Sequence, residues 1–367
     1  MVAAPLTKHD RVLGALLGVH AGDCLGAPLE FRAWENIKAK HPTGQREITS
    51  GGPWAKGEAT DDTDMMRAVL LAYYDQVRYS RQDQNDPDNG KDVAGRAASY
   101  FVDWYNGDWP GRTKGTQPKD VGIQTRQALN TLIRDRNKDH TRCGVRETQD
   151  GRTAGNGGLM RCIPTGLFQD DTNLIETESI AINNITHIDS ESALSCVVYN
   201  IMVHHLINGV NAGEAFDAGM AVVQRWLREN RPNSYRHKAA VKVQRVMNAG
   251  RNAINLADFA NLGPSRAANW KEFMPGLASG YVADSLLLAV AALFDARSLE
   301  DILVDVVRVG HDTDTNAAIA GGLLGARDGV NAIPQRWLSA PLQFRDEFEA
   351  VAEYLLEPAP PAPAQGG

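Results

Sequence analysis

Three glycines, Gly14, Gly18 and Gly22, recur every four residues within the apolar stretch from Arg11 to Gly22. On a helix that spacing places them along one side, and a side without Cβ atoms lets a neighbouring helix approach closely. The stretch therefore predicts a helix, capped by Asp10, packed tightly against another. Apolar positions three and four apart predict a second helix from near Thr60 through Met65, Met66, Val69, Leu70 and Tyr73. After a polar break from Gln82 to Asp92, helices are expected over Val93 to Trp104 and Ile123 to Ile133, separated by a Gly/Pro/Lys-rich loop from Asn106 to Lys119. The charged, glycine-punctuated segment from Arg134 to Gly158 reads as a loop. Further helices are expected near Leu159 to Leu167, Glu176 to Asn184, Ser190 to Asn208, Ala212 to Glu229, His237 to Asn255, Val282 to Phe294, Leu299 to Val307 and Thr315 to Ala326. Val304 to Val309 is the one convincing strand-like run, and the βαβ rhythm of a doubly wound sheet is missing. The expected fold class is all-α.

A chain of 367 residues with 43% hydrophobic and 23% charged residues can bury a large core, and its composition is neither collagen-like nor disulfide-dense. The expected organisation is one catalytic domain over residues 8–356 and a Pro/Ala/Gly-rich, disordered tail over 357–367. Thirty-eight basic against 45 acidic residues leave a net charge of −7, so nucleic-acid substrates and anionic membranes are not favoured partners. Cys24, Cys143, Cys162 and Cys196 form no CxxC pair and read as buried free thiols. The start lacks signal-peptide character, and no uncharged apolar run approaches about 18 residues. These features lead us to expect a monomeric, cytoplasmic protein.

Carboxylates gather at two helix starts far apart in the chain: Thr60-Asp61-Asp62-Thr63-Asp64 and Asp312-Thr313-Asp314-Thr315. Helix capping explains either cluster alone. Two clusters, each denser than capping requires, repel themselves unless a cation sits among them. Hard oxygen ligands without nearby thiols suit Mg²⁺, Mn²⁺ or Ca²⁺ rather than Zn²⁺. Glu30, in an apolar turn after Ala27-Pro28-Leu29, is either a partly desolvated base or an exposed loop residue. Gly155-Asn156-Gly157-Gly158 before a helix is either a phosphate-binding turn or an ordinary one. His187 alone reads as a structural histidine as readily as a ligand contact.

In order, GDCLGAPLEF (22–31), TDDTDMM (60–66), GNGGLMR (155–161), THID (186–189) and GHDTDTNAAIAGGLLGARDGVNAIPQRW (310–337) resemble the ADP-ribosylglycohydrolase family, over about residues 10 to 340. The resemblance implies an all-α domain whose cleft holds two Mg²⁺ or Mn²⁺ ions and removes ADP-ribose from a modified acceptor, protein or small molecule. It implies Thr60, Asp61, Asp62, Asp312, Asp314 and Thr315 as metal ligands. Glu30, Asp62, Asp120 and Asp314 are the implied catalytic carboxylates, with Glu30 and Asp120 rival bases. Glu30 is expected to be the more desolvated and Asp120, after its Lys/Gly-rich loop, the wetter. Thr153, Ala154, Gly155, Asn156 and Gly157 fall where the family cradles the diphosphate, His187 where it approaches the distal ribose, and Ser279, Gly280 and Tyr281 where it contacts ADP-ribose. His311 and the non-aromatic Ala154 depart from many members. An arginine side chain is the favoured acceptor on family prevalence.

Hydrolysis at an anomeric carbon passes through an oxocarbenium-like state, which carboxylates and cations serve by orienting and deprotonating a water. Two rivals compete with this reading. The Val306-to-Thr315 run resembles the strand and Asp-x-Asp of a haloacid-dehalogenase phosphohydrolase, although Asn316 breaks that motif. A non-catalytic relative that binds ADP-ribose or a partner is the second.

Overall fold

A computed structural model describes residues 5–82, 92–110, 112–135, 139–148, 153–252, 254–263, 274 and 278–358. The polar break after Gln82, parts of the Arg134 to Gly158 segment and all but the first two residues of the expected tail lie outside them. The chain is all-α. In order the helices are α1 (Lys8–Gly26), α2 (Trp34–Lys40), α3 (Asp61–Gln82), α4 (Val93–Asn106), α5 (Ile123–Arg134), α6 (Ile163–Phe168), α7 (Thr172–Asn184) and α8 (Ser190–Ile207). They continue as α9 (Ala212–Glu229), α10 (Tyr235–Asn252), α11 (Leu256–Leu262), α12 (Val282–Phe294), α13 (Leu299–Arg308), α14 (Thr313–Asp328), α15 (Gln335–Leu338) and α16 (Arg345–Leu356). Among the described residues the named strands are two-residue segments, β1 (Val145–Arg146) and β2 (His187–Ile188), paired in parallel.

Helix α1 starts earlier than its sequence pattern indicates. Thr7, not Asp10, is its N-cap, and Asp10 closes a capping box from the third position by accepting the Thr7 N–H. The glycine side of α1 meets α14 in antiparallel register. A Cβ at Gly14 would strike Gly325 and Gly329, one at Gly18 Gly321, one at Gly22 Ala317, and one at Gly26 Thr313 and Asp314. In each case the atoms struck are backbone, so the two helices touch main chain to main chain. Lys8–Leu29 is long and apolar enough to cross a bilayer, but 94% of its 18-residue apolar window is buried within the fold. Helices α8 and α12 are likewise buried on nearly every side, as a helix apolar all round must be in water.

The strand-like run Val304 to Val309 is helical through Arg308. Ser298 caps it by accepting from the Asp301 N–H at 3.1 Å, and Leu299, Ile302, Leu303, Val306 and Val307 bury a face. Packing at helical spacing overrides the β-branched preference, and with it goes the strand that the phosphohydrolase reading required. Three short helices, α2, α11 and α15, carry too few apolar repeats to have been read from the sequence, whereas the C-terminal α16 was missed although Phe348, Val351, Ala352, Leu355 and Leu356 recur at helical spacing. All four cysteines are free and buried.

Candidate active site

The α1–α14 seam decides where the site stands. Its register brings the C-terminus of α1 to the N-terminus of α14, where the Thr313 hydroxyl donates to the Gly26 carbonyl at 2.8 Å. Beyond Gly26 a short 3₁₀ turn, Ala27–Leu29, aims Glu30 at the start of α14. Paired main-chain bonds, Phe31 N–H to His311 O (2.7 Å) and His311 N–H to Arg32 O (2.8 Å), fasten the two loops together. Phe31 (φ 60°) and His311 (φ 63°) both adopt left-handed backbone there. As a result Glu30, Asp312 and Asp314 each present a carboxylate oxygen within 4.8 Å of the others.

A second helix start, that of α3, joins them through Asp23, in the last turn of α1. Its Oδ2 accepts from the backbone N–H groups of Thr60 (3.1 Å) and Thr63 (3.3 Å) and from the Thr63 hydroxyl (2.5 Å). This buried carboxylate caps α3 together with the local Thr60 hydroxyl, which accepts from the Asp62 N–H at 3.3 Å, and holds Asp61 and Asp62 against the α14 start. Asp62 Oδ2 then accepts from the hydroxyls of Thr60 (3.0 Å) and Thr315 (3.3 Å), which ties the two clusters directly. Asp64, in the same run, turns away: Trp104 and Trp109 donate their indole N–H groups to it at 2.8 and 3.0 Å. It anchors α3 to its neighbours.

Above these carboxylates opens a cleft of about 600 Å³. Glu30, Asp61, Asp120, Gly155, Asn156, Gly157, His187, Ser279, Gly280, Asp312 and Thr315 line it. Thr60, Asp62 and Asp314 lie beneath, buried. Three of the expected substrate contacts do not line it. The Thr153 hydroxyl donates to Asp189 at 2.9 Å, the Ala154 carbonyl accepts from the Val282 N–H at 2.9 Å, and Tyr281 donates its hydroxyl to Glu191. These residues brace the cleft wall rather than line the cleft. The expected contrast between Glu30 and Asp120 is also absent, since both are half-buried. Asp120 is drawn in by its loop, where the Gly122 N–H reaches Asp61 Oδ2 at 3.4 Å.

Sequence reasoning missed Asp23, whose role depends on a helix 37 residues away. It also missed Phe31, Ile123, Gln124, Thr125, Met160 and His311 in the cleft wall. Phe31 is 80% and Ile123 77% exposed, so two large apolar side chains stand open at the same cleft. A solvent-facing apolar residue beside a polar motif gives no signal in a single sequence.

Electrostatically the site is overloaded. Burial first, then Asp120, Asp312 and Asp61, push Glu30 up to about 9. Burial likewise lifts Asp23 to about 7 and raises Asp61, Asp62 and Asp314 well above the carboxylate range, with their neighbours' charges adding to it. Asp120 and Asp312 rise for the same leading reason. No Lys or Arg is among the described residues lining the cleft, and Asp62 Oδ1 and Asp23 Oδ1 are buried without a hydrogen-bond donor. Clustered hard oxygens, an orphaned buried carboxylate oxygen and no cationic side chain fit divalent cations such as Mg²⁺ or Mn²⁺.

The model of the ADP-ribosylglycohydrolase family matches residues 4–364. The ADP-ribosylarginine hydrolase Tri1 of Pseudomonas putida is 28% identical, the match covering 97% of this chain and 80% of that protein. The ADP-ribosyl-[dinitrogen reductase] glycohydrolase of Rhodospirillum rubrum is also 28% identical, over 90% of each. A solved ADP-ribosylglycohydrolase-related protein complex superposes with a TM-score of 0.66 at 25% identity, covering 95% of this chain and 97% of that one.

Proposed function

Because the chain belongs to the ADP-ribosylglycohydrolase family, we propose that it is a divalent-cation-dependent hydrolase releasing ADP-ribose from arginine side chains. Hydrolysis of an ADP-ribosyl linkage is the family's enzymatic activity; the acceptor and the cations are the finer part of the reading. The observation that carries it is the convergence of Glu30, Asp312 and Asp314 within 4.8 Å at the floor of a cleft with no Lys or Arg among the described residues that line it.

Glu30, Asp61, Asp62, Asp312 and Asp314, with the hydroxyls of Thr60 and Thr315, would hold two Mg²⁺ or Mn²⁺ ions. When bound, these supply Lewis-acid polarisation and orient ribose hydroxyls and water. The chain's own carboxylates do the proton work. Glu30, ionised when the cations are held beside it, takes a proton from the attacking water as the new oxygen–C1 bond forms and the C1–nitrogen bond breaks; the departing nitrogen keeps the bonding pair and receives that proton from Glu30. Asp120, which raises Glu30 through space, orients the acceptor. The arginine reading draws on the similarity to the ADP-ribosylarginine hydrolase of Pseudomonas putida and on the cleft mouth. There an exposed aromatic ring, Phe31, stands near Glu30 and Asp120, a combination that suits a planar cation.

Matched peptides bearing ADP-ribose on arginine or on serine, assayed for free ADP-ribose with Mg²⁺, with Mn²⁺ and after exhaustive EDTA dialysis, test both parts. Faster release from arginine that stops in chelator is expected. Preferential release from serine would overturn the acceptor, and full activity in chelator the cation requirement.

A further inference from the structure

Arg161 is a wholly buried cation with no carboxylate partner among the described residues. Its guanidinium lies 4.6 Å from the Phe101 ring centroid, and its Nη2 donates to the Ile182 carbonyl at 3.2 Å and to the Thr186 hydroxyl at 2.5 Å. Burying an arginine this way costs several kcal/mol, so what its hydrogen bonds accomplish matters. A guanidinium only donates. The Thr186 oxygen is therefore an acceptor toward Arg161, and its own proton needs another acceptor. Thr186 is itself fully buried, and the partner in reach is His187 Nδ1 at 2.7 Å.

Were Nδ1 to carry the proton instead, the Thr186 oxygen would accept twice and its O–H would be buried without a partner, a penalty of about 1–3 kcal/mol. A doubly protonated imidazolium is disfavoured too, by burial and then by the neighbouring Arg161 charge. The remaining proton therefore sits on Nε2. That edge of the ring faces the cleft: a Cβ at Gly155 would lie 3.0 Å from His187 Nε2, and one at Gly157 2.9 Å from Cε1. The two glycines leave the imidazole room to reach the cleft wall, and Asn183 holds the His187 carbonyl at 2.6 Å.

We infer that Arg161 and Thr186 are positioning residues: they lock His187 as a neutral imidazole whose Nε2–H points into the cleft as a fixed donor to an acceptor oxygen of the substrate. The relay serves recognition. A donor whose tautomer is set beforehand loses no free energy choosing it on binding, and a hydroxyl or phosphate oxygen is taken without adding a cation beside Arg161. The inference rests on the proposed ADP-ribosyl substrate only for the choice of probe.

Nitrogen NMR of the full-length protein, labelled at histidine and assigned with a His187→Phe variant, reads the tautomer directly at pH 7. The expected spectrum has Nε2 protonated and Nδ1 bare; a protonated Nδ1, alone or together with Nε2, overturns the inference. ADP-ribose affinity by titration calorimetry gives the second readout. Thr186→Val, which keeps shape and removes the relay, is expected to weaken binding about tenfold, the scale of one neutral hydrogen bond, while Thr186→Ser stays within about twofold of wild type. Equal affinities for the two variants would refute the relay, whereas failure of the wild-type protein to bind ADP-ribose would refute the substrate reading and leave the tautomer result standing.

Discussion

Replacing Gly22 by alanine tests whether the α1–α14 seam holds the site together. The new Cβ would lie 2.6 Å from the Ala317 carbonyl carbon and 2.9 Å from the Ala318 nitrogen, both backbone and both inside a helix. The Ala317 carbonyl oxygen is struck more closely still, so reaching an ordinary contact near 3.4 Å requires the helices to part by more than about 1 Å. Overpacking of this kind costs about 1–3 kcal/mol, and the struck atoms cannot yield, so the upper end applies; alanine's better helix propensity returns about 1 kcal/mol, leaving roughly 2 kcal/mol of net destabilisation. The same opening stretches the 2.8 Å bond from Thr313 to the Gly26 carbonyl and draws Glu30 away from Asp312 and Asp314. A displacement of about 1 Å at reacting groups costs on the order of a hundredfold in rate. Urea unfolding gives the stability term, and kcat on an arginine-linked substrate, taken well below the unfolding transition, gives the site term. Gly213→Ala is the control, because its nearest neighbour is a side-chain oxygen at 3.2 Å, and it should be neutral or slightly stabilising. Wild-type stability and rate in Gly22→Ala would refute the seam as the organiser of the site.

The buried carboxylates make a pH prediction for cation-free protein. Glu30 near 9 and Asp23 near 7 are raised above their unfolded values of 4.5 and 3.8, so the folded state binds the extra protons; their contribution is whole below about pH 4 and is lost as pH rises through 7 and then 9. Melting temperature in chelator should fall across that window, and Mg²⁺ should flatten the fall; a chelated protein that gains stability from pH 5 to 9 contradicts the reading. Asp314→Asn and Asp61→Asn should each abolish turnover while far-UV circular dichroism is unchanged, and retention of more than about a tenth of wild-type kcat, a loss of only ~1.4 kcal/mol, removes that residue from the cation-holding set. Phe31→Gly relieves a left-handed φ of 60° and gives up no buried ring, so stability should rise by about 1 kcal/mol while KM for an arginine-linked peptide increases. A drop in melting temperature would show that the ring packs after all.

Most of the longer helices, the glycine stripe of α1 and the two carboxylate-rich helix starts were legible in the sequence, because apolar period, capping and ligand chemistry are local properties that a dozen neighbouring residues express. So was the family, since its motifs are long and survive in order. What the chain alone could not convey is which surfaces meet. Asp64 belongs to the same run as Asp61 and Asp62, yet two indoles take it out of the site. Asp23 looks like an ordinary helix residue until α3 is placed on it. Thr153, Ala154 and Tyr281 lie in segments that border the cleft, yet the contacts they make are within its wall. Arg161, Thr186 and His187 form a relay only because α7 and the Asn156–Gly158 turn are packed together. Side-chain direction, desolvation and the mutual repulsion that sets protonation all depend on distances through space. Those distances follow from the antiparallel register of two glycine faces nearly 300 residues apart, and only the folded chain determines that register.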